Sequence, residues 1–152
     1  MPMDIKVVRR GVALIVLVLW LICLFLPAVS FAKAIYSYLS GAFVAVIGLA
    51  FGWLELQFGA FANPILLGLC LVLLLGRRPW VALAWITEVL ALSSFTITNI
   101  PDHDGPNPIS HFSSGFYVWQ AAILLLLLYL IFEKTLVKAG YISVPTAITL
   151  QS

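Results

Sequence analysis

Apolar residues run almost unbroken from Gly11 to Leu26, meet Pro27, and continue through Ala28, Val29 and Phe31. A second apolar stretch extends from Gly41 to Gly76, interrupted by Glu55, Gln57, Asn63 and Pro64. A third covers Trp80 to Thr98 and a fourth Phe116 to Phe132. Runs near 20 residues match helices that cross a hydrocarbon core of about 30 Å. The pattern predicts an all-α, polytopic helical membrane protein with a single transmembrane domain over 1–152. Its spans are expected at about 11–32, 41–76, 80–98 and 116–132. Three prolines fall in 99–115, which reads as a loop outside the bilayer. Residues 133–152 read as a tail, and Ser113-Ser114-Gly115 as the cap of the last helix.

Composition strengthens the membrane reading. Of 152 residues, 63% are hydrophobic and 9% charged, against about 25% charged in soluble proteins. Mean hydropathy is +1.13. This excludes a soluble enzyme, a nucleic-acid-binding domain and a disordered tail. The net charge of +2 is too small for a nucleic-acid partner. Cys23 and Cys70 both sit inside apolar runs, so neither a disulfide scaffold nor a zinc site is expected.

The N-terminal run has two readings. Lys6, Arg9 and Arg10 before an apolar core also describe a signal peptide, and Ser30-Phe31-Ala32 resembles its cleavage site. The run is 16 residues before Pro27, longer than the usual core of about 7–15. A retained first helix is the preferred reading, with cleavage as the alternative.

Charge decides the topology of 41–76. A single net crossing puts Lys6, Arg9, Arg10, Arg77, Arg78, Lys134 and Lys138 on one side and Lys33 on the other. Two crossings separate Lys6, Arg9 and Arg10 from the other five. The positive-inside rule favours the first arrangement. Four net crossings follow, with both termini cytoplasmic and Asp102 and Asp104 outside. The 36 residues of 41–76 would make a straight helix of about 54 Å, so the segment must break or lie partly in the interface. Asn63-Pro64 is the expected break, with a helix to about Phe58, a turn over 59–63 and a shorter helix ending near Gly76.

Candidate sites are sparse. Gly41, Gly48, Gly52 and Gly59 are spaced to fall near one line of a helix, and Gly48 to Gly52 is a GxxxG, as at a close helix–helix contact. Glu88 falls near mid-span, with Ala84 and Ala91 on its face. A carboxyl there is either proton-responsive or ligand-binding, or a neutral acid bonded to Thr87, Gln57 or Gln120. Glu55 and Gln57 form a second intramembrane polar group, and Asn63 satisfies free backbone at the break. Asp102, His103, Asp104 and His111 match no metal spacing, and Ser110, Ser113 and Ser114 near His111 lack a nucleophile elbow. No catalytic, cofactor-binding or metal-ligating set is expected.

The segment Gly59-Ala60-Phe61-Ala62-Asn63-Pro64 before a Leu-rich helix resembles short bacterial inner-membrane proteins of uncharacterised function. So does Ser114-Gly115-Phe116-Tyr117-Val118-Trp119 before the last helix. The resemblance implies a bacterial inner membrane and supplies no activity. The expected function is a non-enzymatic accessory or assembly subunit of a larger membrane complex. Its partners would be the lipid bilayer and other membrane subunits or further copies of itself. The alternatives are an immunity or resistance protein against a membrane-acting toxin, and a minimal transporter or quinone-binding protein using Glu88 and Glu55.

Overall fold

A computed structural model describes residues 2–31, 38–51, 58–102 and 105–143. Gly52, Glu55, Gln57, His103 and Asp104 lie outside the described residues. After a two-residue strand β1 (Met3–Asp4), helix α1 spans Ile5–Phe25. Asp4 has extended backbone and its carboxylate accepts from the Lys6 N–H at 2.8 Å, which caps the helix. The helix stops because Leu26 precedes a proline. The ring of Pro27 disfavours helical backbone there, and Leu26 is extended at ψ 153°.

The chain then enters a sheet. Strands β2 (Pro27–Phe31) and β3 (Tyr38–Ser40) pair antiparallel, and β2 also pairs with β5 (Gly105–Phe112), whose other neighbour is β4 (Asn99–Asp102). The order is β3-β2-β5-β4. Val29 faces Phe112 and Ser30 faces His111, while β4 and β5 form a hairpin from Asn99↔Pro108 to Asp102↔Gly105.

Between the two halves of this sheet the chain forms helix α2 (Gly41–Phe51), a 3₁₀ turn (Phe58–Phe61), α3 (Ala62–Leu74) and α4 (Val81–Ser93), which ends in a second 3₁₀ turn (Ser94–Thr96). Helix α5 (Ser114–Lys138) follows β5, and β6 (Ile142–Ser143) pairs parallel with β1. Helix α1 packs on α3 and α5, and α4 packs on the same two, so the four alternate in direction around one core. Ala13, Ala84, Ala91 and Ala122 are fully or almost fully buried beside Val16, Leu66, Leu73, Leu126 and Leu130. Small side chains at these positions let the helix backbones approach closely.

Two expectations are corrected. The protein is not all-α: residues read as the end of the first span (27–31) and as parts of an outer loop (99–102 and 105–112) are strands of one sheet. Nor do the described residues hold four spanning helices. Among the described residues only α1 and α5 are long and apolar enough to cross a membrane. Helices α3 and α4 have 13 residues each, about 20 Å of rise, short of a core of about 30 Å. The physical reason lies in the breaks. The stretch 41–76 divides into α2, a 3₁₀ turn and α3. Helix α3 begins at Ala62, ahead of Asn63-Pro64, so Pro64 lies in its first turn, where a missing N–H is tolerated. The last helix is also longer than expected, reaching Lys138.

The N-terminal segment is part of this fold. Cleavage after Ala32 would remove α1 from the core and β2 from the middle of the sheet. The outward faces are apolar as well. Leu14, Ile15 and Val18 on α1, Trp85, Ile86 and Val89 on α4, and Leu124, Leu128 and Phe132 on α5 are all exposed.

Two glycines separate packing from propensity. A Cβ on Gly115 would meet the carbonyl oxygens of Leu26, Pro27 and Cys23 at 2.9, 2.9 and 3.1 Å. A Cβ on Gly68, inside α3, would meet nothing within 4 Å. Gly115→Ala is expected to destabilise by about 1–3 kcal/mol, and Gly68→Ala to stabilise by roughly 0.5–1 kcal/mol. Thermal unfolding of the two purified variants checks both signs.

Candidate functional site

Three polar centres lie within the helices. The first is Asn63, buried in the first turn of α3. Its Oδ1 accepts from the indole N–H of Trp20 on α1 and of Trp119 on α5, each at 2.9 Å. Its Nδ2 donates to the Ala60 carbonyl at 3.2 Å. One amide oxygen thus uses both lone pairs to join three helices. Asn63 was expected to satisfy backbone at a break, and the Ala60 bond does that. The two tryptophan donors went unanticipated, because Trp20 and Trp119 lie 43 and 56 residues from Asn63 in the chain.

The second centre is Glu88 on α4, 8% exposed, between the buried Ala84, Thr87 and Ala91. Its Oε2 is buried with no hydrogen-bond partner among the described residues. Two of the expected partners bond elsewhere. The Thr87 hydroxyl donates to the Leu83 carbonyl at 2.7 Å, and Gln120 on α5 donates to the Ala91 carbonyl at 2.9 Å. Gln57 and Glu55 lie outside the described residues.

The third centre escaped the sequence reading. Glu133, 3% exposed, receives Arg9 in a two-pronged contact, Nη2 to Oε1 at 2.9 Å and Nε to Oε2 at 3.1 Å. Arg78 Nε lies 3.3 Å from the same Oε1. Both arginines are also held by carbonyls: Arg9 Nη1 donates to Gly76 at 2.7 Å and Arg78 Nη2 to Leu130 at 2.9 Å. The cluster ties α1, the α3–α4 connection and α5. One signal was present. Leu126, Leu130 and Glu133 follow one another at helical spacing, so Glu133 continues the buried stripe of α5.

The remaining candidates are scattered. A Cβ on Gly41 would meet the Cys23 carbonyl of α1, one on Gly48 would lie 2.5 Å from the Ala60 Cβ, and one on Gly59 would meet the Ser94 hydroxyl. These three glycines therefore face three different elements of the same chain, and Gly52 falls outside the described residues. Ser113 precedes α5 without a side-chain cap bond, because its hydroxyl pairs with that of Ser30 at 2.7 Å. Ser110 lies 3.0 Å from His111 Nδ1 and also donates to the Ser30 carbonyl, so the pair is anchored to the sheet. Among the described residues no group of three or more His, Cys, Asp or Glu could hold a metal ion.

Chemically the Asn63 and Glu133 centres are suited to joining helices. Asn63, Gln120, Arg9, Arg78 and Glu133 are each engaged with another element. No family model, curated protein or solved structure matches the chain.

Removing either tie has a calculable cost. Asn63→Leu leaves two indole donors without an acceptor, and about 1–3 kcal/mol is expected for each one buried from water. The tryptophan emission should shift along with the unfolding midpoint. Glu133→Leu leaves Arg9 and Arg78 without a counter-charge and is expected to cost roughly 3–5 kcal/mol. Arg9→Met combined with Glu133→Leu should recover part of that loss, because the uncompensated charge is reduced. Thermal unfolding of the single and double variants decides this.

Proposed function

We propose that this chain is a non-enzymatic integral membrane protein, an accessory or assembly subunit of a larger membrane complex. The observation that carries the reading is the inversion of its surface. The outward faces of α1, α4 and α5 are apolar, while Trp20, Asn63, Trp119, Gln120, Arg9 and Glu133 are each hydrogen-bonded to another helix of the bundle, with Glu88 the exception. In water such a surface would be a liability. In lipid it is the ordinary exterior, and polar groups belong inside the bundle.

In this reading α1 and α5 cross the bilayer in opposite directions, with the shorter α3 and α4 packed against them. The host is a bacterial inner membrane. Because β1 pairs with β6, the segments flanking α1 and α5 share one end, and Lys6, Arg9, Arg10, Arg77, Arg78, Lys134 and Lys138 cluster there. The positive-inside rule assigns that end to the cytoplasm and the four-stranded sheet to the opposite side. The described residues outside the helices are short strands and turns, which favours a role exercised through contacts with other membrane subunits.

A photo-crosslinking residue in place of Leu14, Val18 or Leu128 tests this in native membranes. A discrete protein adduct of constant stoichiometry at one of these faces is expected, on a chain that resists alkaline carbonate extraction. Adducts to lipid alone at every position would overturn the subunit role. Release by carbonate would overturn membrane insertion itself.

The unpaired Glu88 oxygen favours a second reading, a carboxyl that works by gaining and losing a proton. Glu88→Gln keeps the shape and hydrogen-bonding capacity without the charge. If Glu88 is structural, the variant should retain normal abundance, unfolding midpoint and complex assembly. Lost complex assembly or growth phenotype at normal abundance and stability would establish the working carboxyl.

A further inference from the structure

We infer that the basic end of the bundle holds an anionic phospholipid, its headgroup at Lys6, Arg10 and Arg77 and its acyl chains along the exposed apolar side chains of α1 and of the end of α3. The inference rests on the membrane reading and adds to it a specific lipid class and place.

Two carboxylates at this end, Glu133 and Asp4, are already engaged. Glu133 is flanked by Arg9 and Arg78, and Asp4 caps α1 through the Lys6 N–H. Lys6, Arg10, Arg77, Lys134 and Lys138 are all exposed, and none has a carboxylate partner among the described residues. Lys6 and Arg10 are four residues apart on α1, so their like charges lie on one face and repel. Both also lie in the early turns of that helix, where its dipole disfavours positive charge. The fold therefore leaves a local excess of positive charge that an outside anion would relieve.

Packing makes this excess a place. A Cβ built on Gly76 would lie 3.3 Å from Lys6 Cγ, so the Lys6 stem runs over the turn that follows α3. Arg10 Nε donates to the Leu74 carbonyl at 3.1 Å, which anchors its guanidinium beside the same turn. Arg77 follows Gly76 directly in the chain. Three exposed cations on two elements thus border one turn.

Apolar surface beside the charges selects the ligand class. Val7 and Leu14 lie three residues before and four after Arg10 on α1, and Leu71 on α3 lies four residues before Leu75, the residue that caps that helix. All four are exposed, at 61%, 56%, 58% and 63%. Free phosphate and nucleic acid would use the cations and leave this strip bare. A phosphate headgroup with acyl chains uses both. Each basic side chain near an anionic lipid contributes about a fivefold preference.

The test uses the full chain in nanodiscs of phosphatidylcholine and phosphatidylglycerol in equal parts, released into a native mass spectrometer. Wild type should retain phosphatidylglycerol over phosphatidylcholine, and excess inorganic phosphate should not displace it. Lys6→Gln with Arg10→Gln should lower that preference by roughly 30-fold, while Arg10→Lys, which keeps the charge, should preserve most of it. Lys134→Gln with Lys138→Gln should have a clearly smaller effect. Equal retention of both lipids by wild type, displacement by phosphate, or equal losses from both double variants would overturn the assignment. Failure of wild type to insert into either lipid would overturn the membrane reading, whereas insertion without lipid preference would overturn this inference alone.

Discussion

The Asn63 side-chain oxygen is the point on which the helix arrangement depends. It stands at the start of α3 and takes an indole N–H from each of α1 and α5. A buried donor without an acceptor is costly, and most costly where water is excluded. Two tryptophans therefore hold their helices at a fixed depth relative to α3, because sliding any of the three would break a bond that the surroundings cannot replace. Apolar packing among Leu66, Leu126 and Leu130 fills the space but is much less directional. Gln120 adds the fourth helix by donating to a carbonyl of α4.

The two ends of the bundle solve different problems. At one end α1 and α5 meet the sheet, and Gly115 lets α5 start against the backbone carbonyls of the α1–β2 junction. Phe112 stacks on Phe116 with ring centroids 4.2 Å apart, and Phe95 meets Phe116 edge-on at 4.8 Å, so the sheet rests on an aromatic layer over the helices. At the other end the chain must turn from α3 into α4 beside two opposed helix termini. Gly76, at φ +73°, makes the turn; Arg10 covers the Leu74 carbonyl at the end of α3 and Arg9 the carbonyl of Gly76 itself. Glu133 then offsets the charge that Arg9 and Arg78 bring inside.

Much of the helical layer was legible because helices are local. Apolar runs located α1 and α5, and Ala84, Glu88 and Ala91 follow the spacing of one helical face. The sheet was hidden because the pairing that joins its two halves, β2 with β5, is remote. Ser30 meets Ser113 across 83 residues, and no local pattern announces that contact. Strand β2 is apolar and reads as a continuation of the helix before it, while Pro101, Pro106 and Pro108 make β4 and β5 read as loop. The division of 41–76 was legible too: Glu55, Gln57, Asn63 and Pro64 interrupt its apolar character, and 3₁₀ geometry at Phe58–Phe61 separates α3 from what precedes it, close to the expected turn over 59–63. Among polar residues, Glu88 and Asn63 stood out because apolar neighbours surround them. Glu133 did not, because Lys134 beside it gives the look of a solvated helix end, although it is buried against cations brought from far along the chain.

Coupling of α5 to α3 through Asn63 is measured by a double-mutant cycle. Unfolding free energies are compared for Trp119→Phe, Asn63→Leu and the two combined. If the indole bond is the link, Trp119→Phe should cost far less in the Asn63→Leu background than in wild type, leaving a coupling energy of about 0.5–3 kcal/mol. Strictly additive losses would show that Trp119 and Asn63 act independently and would contradict the account.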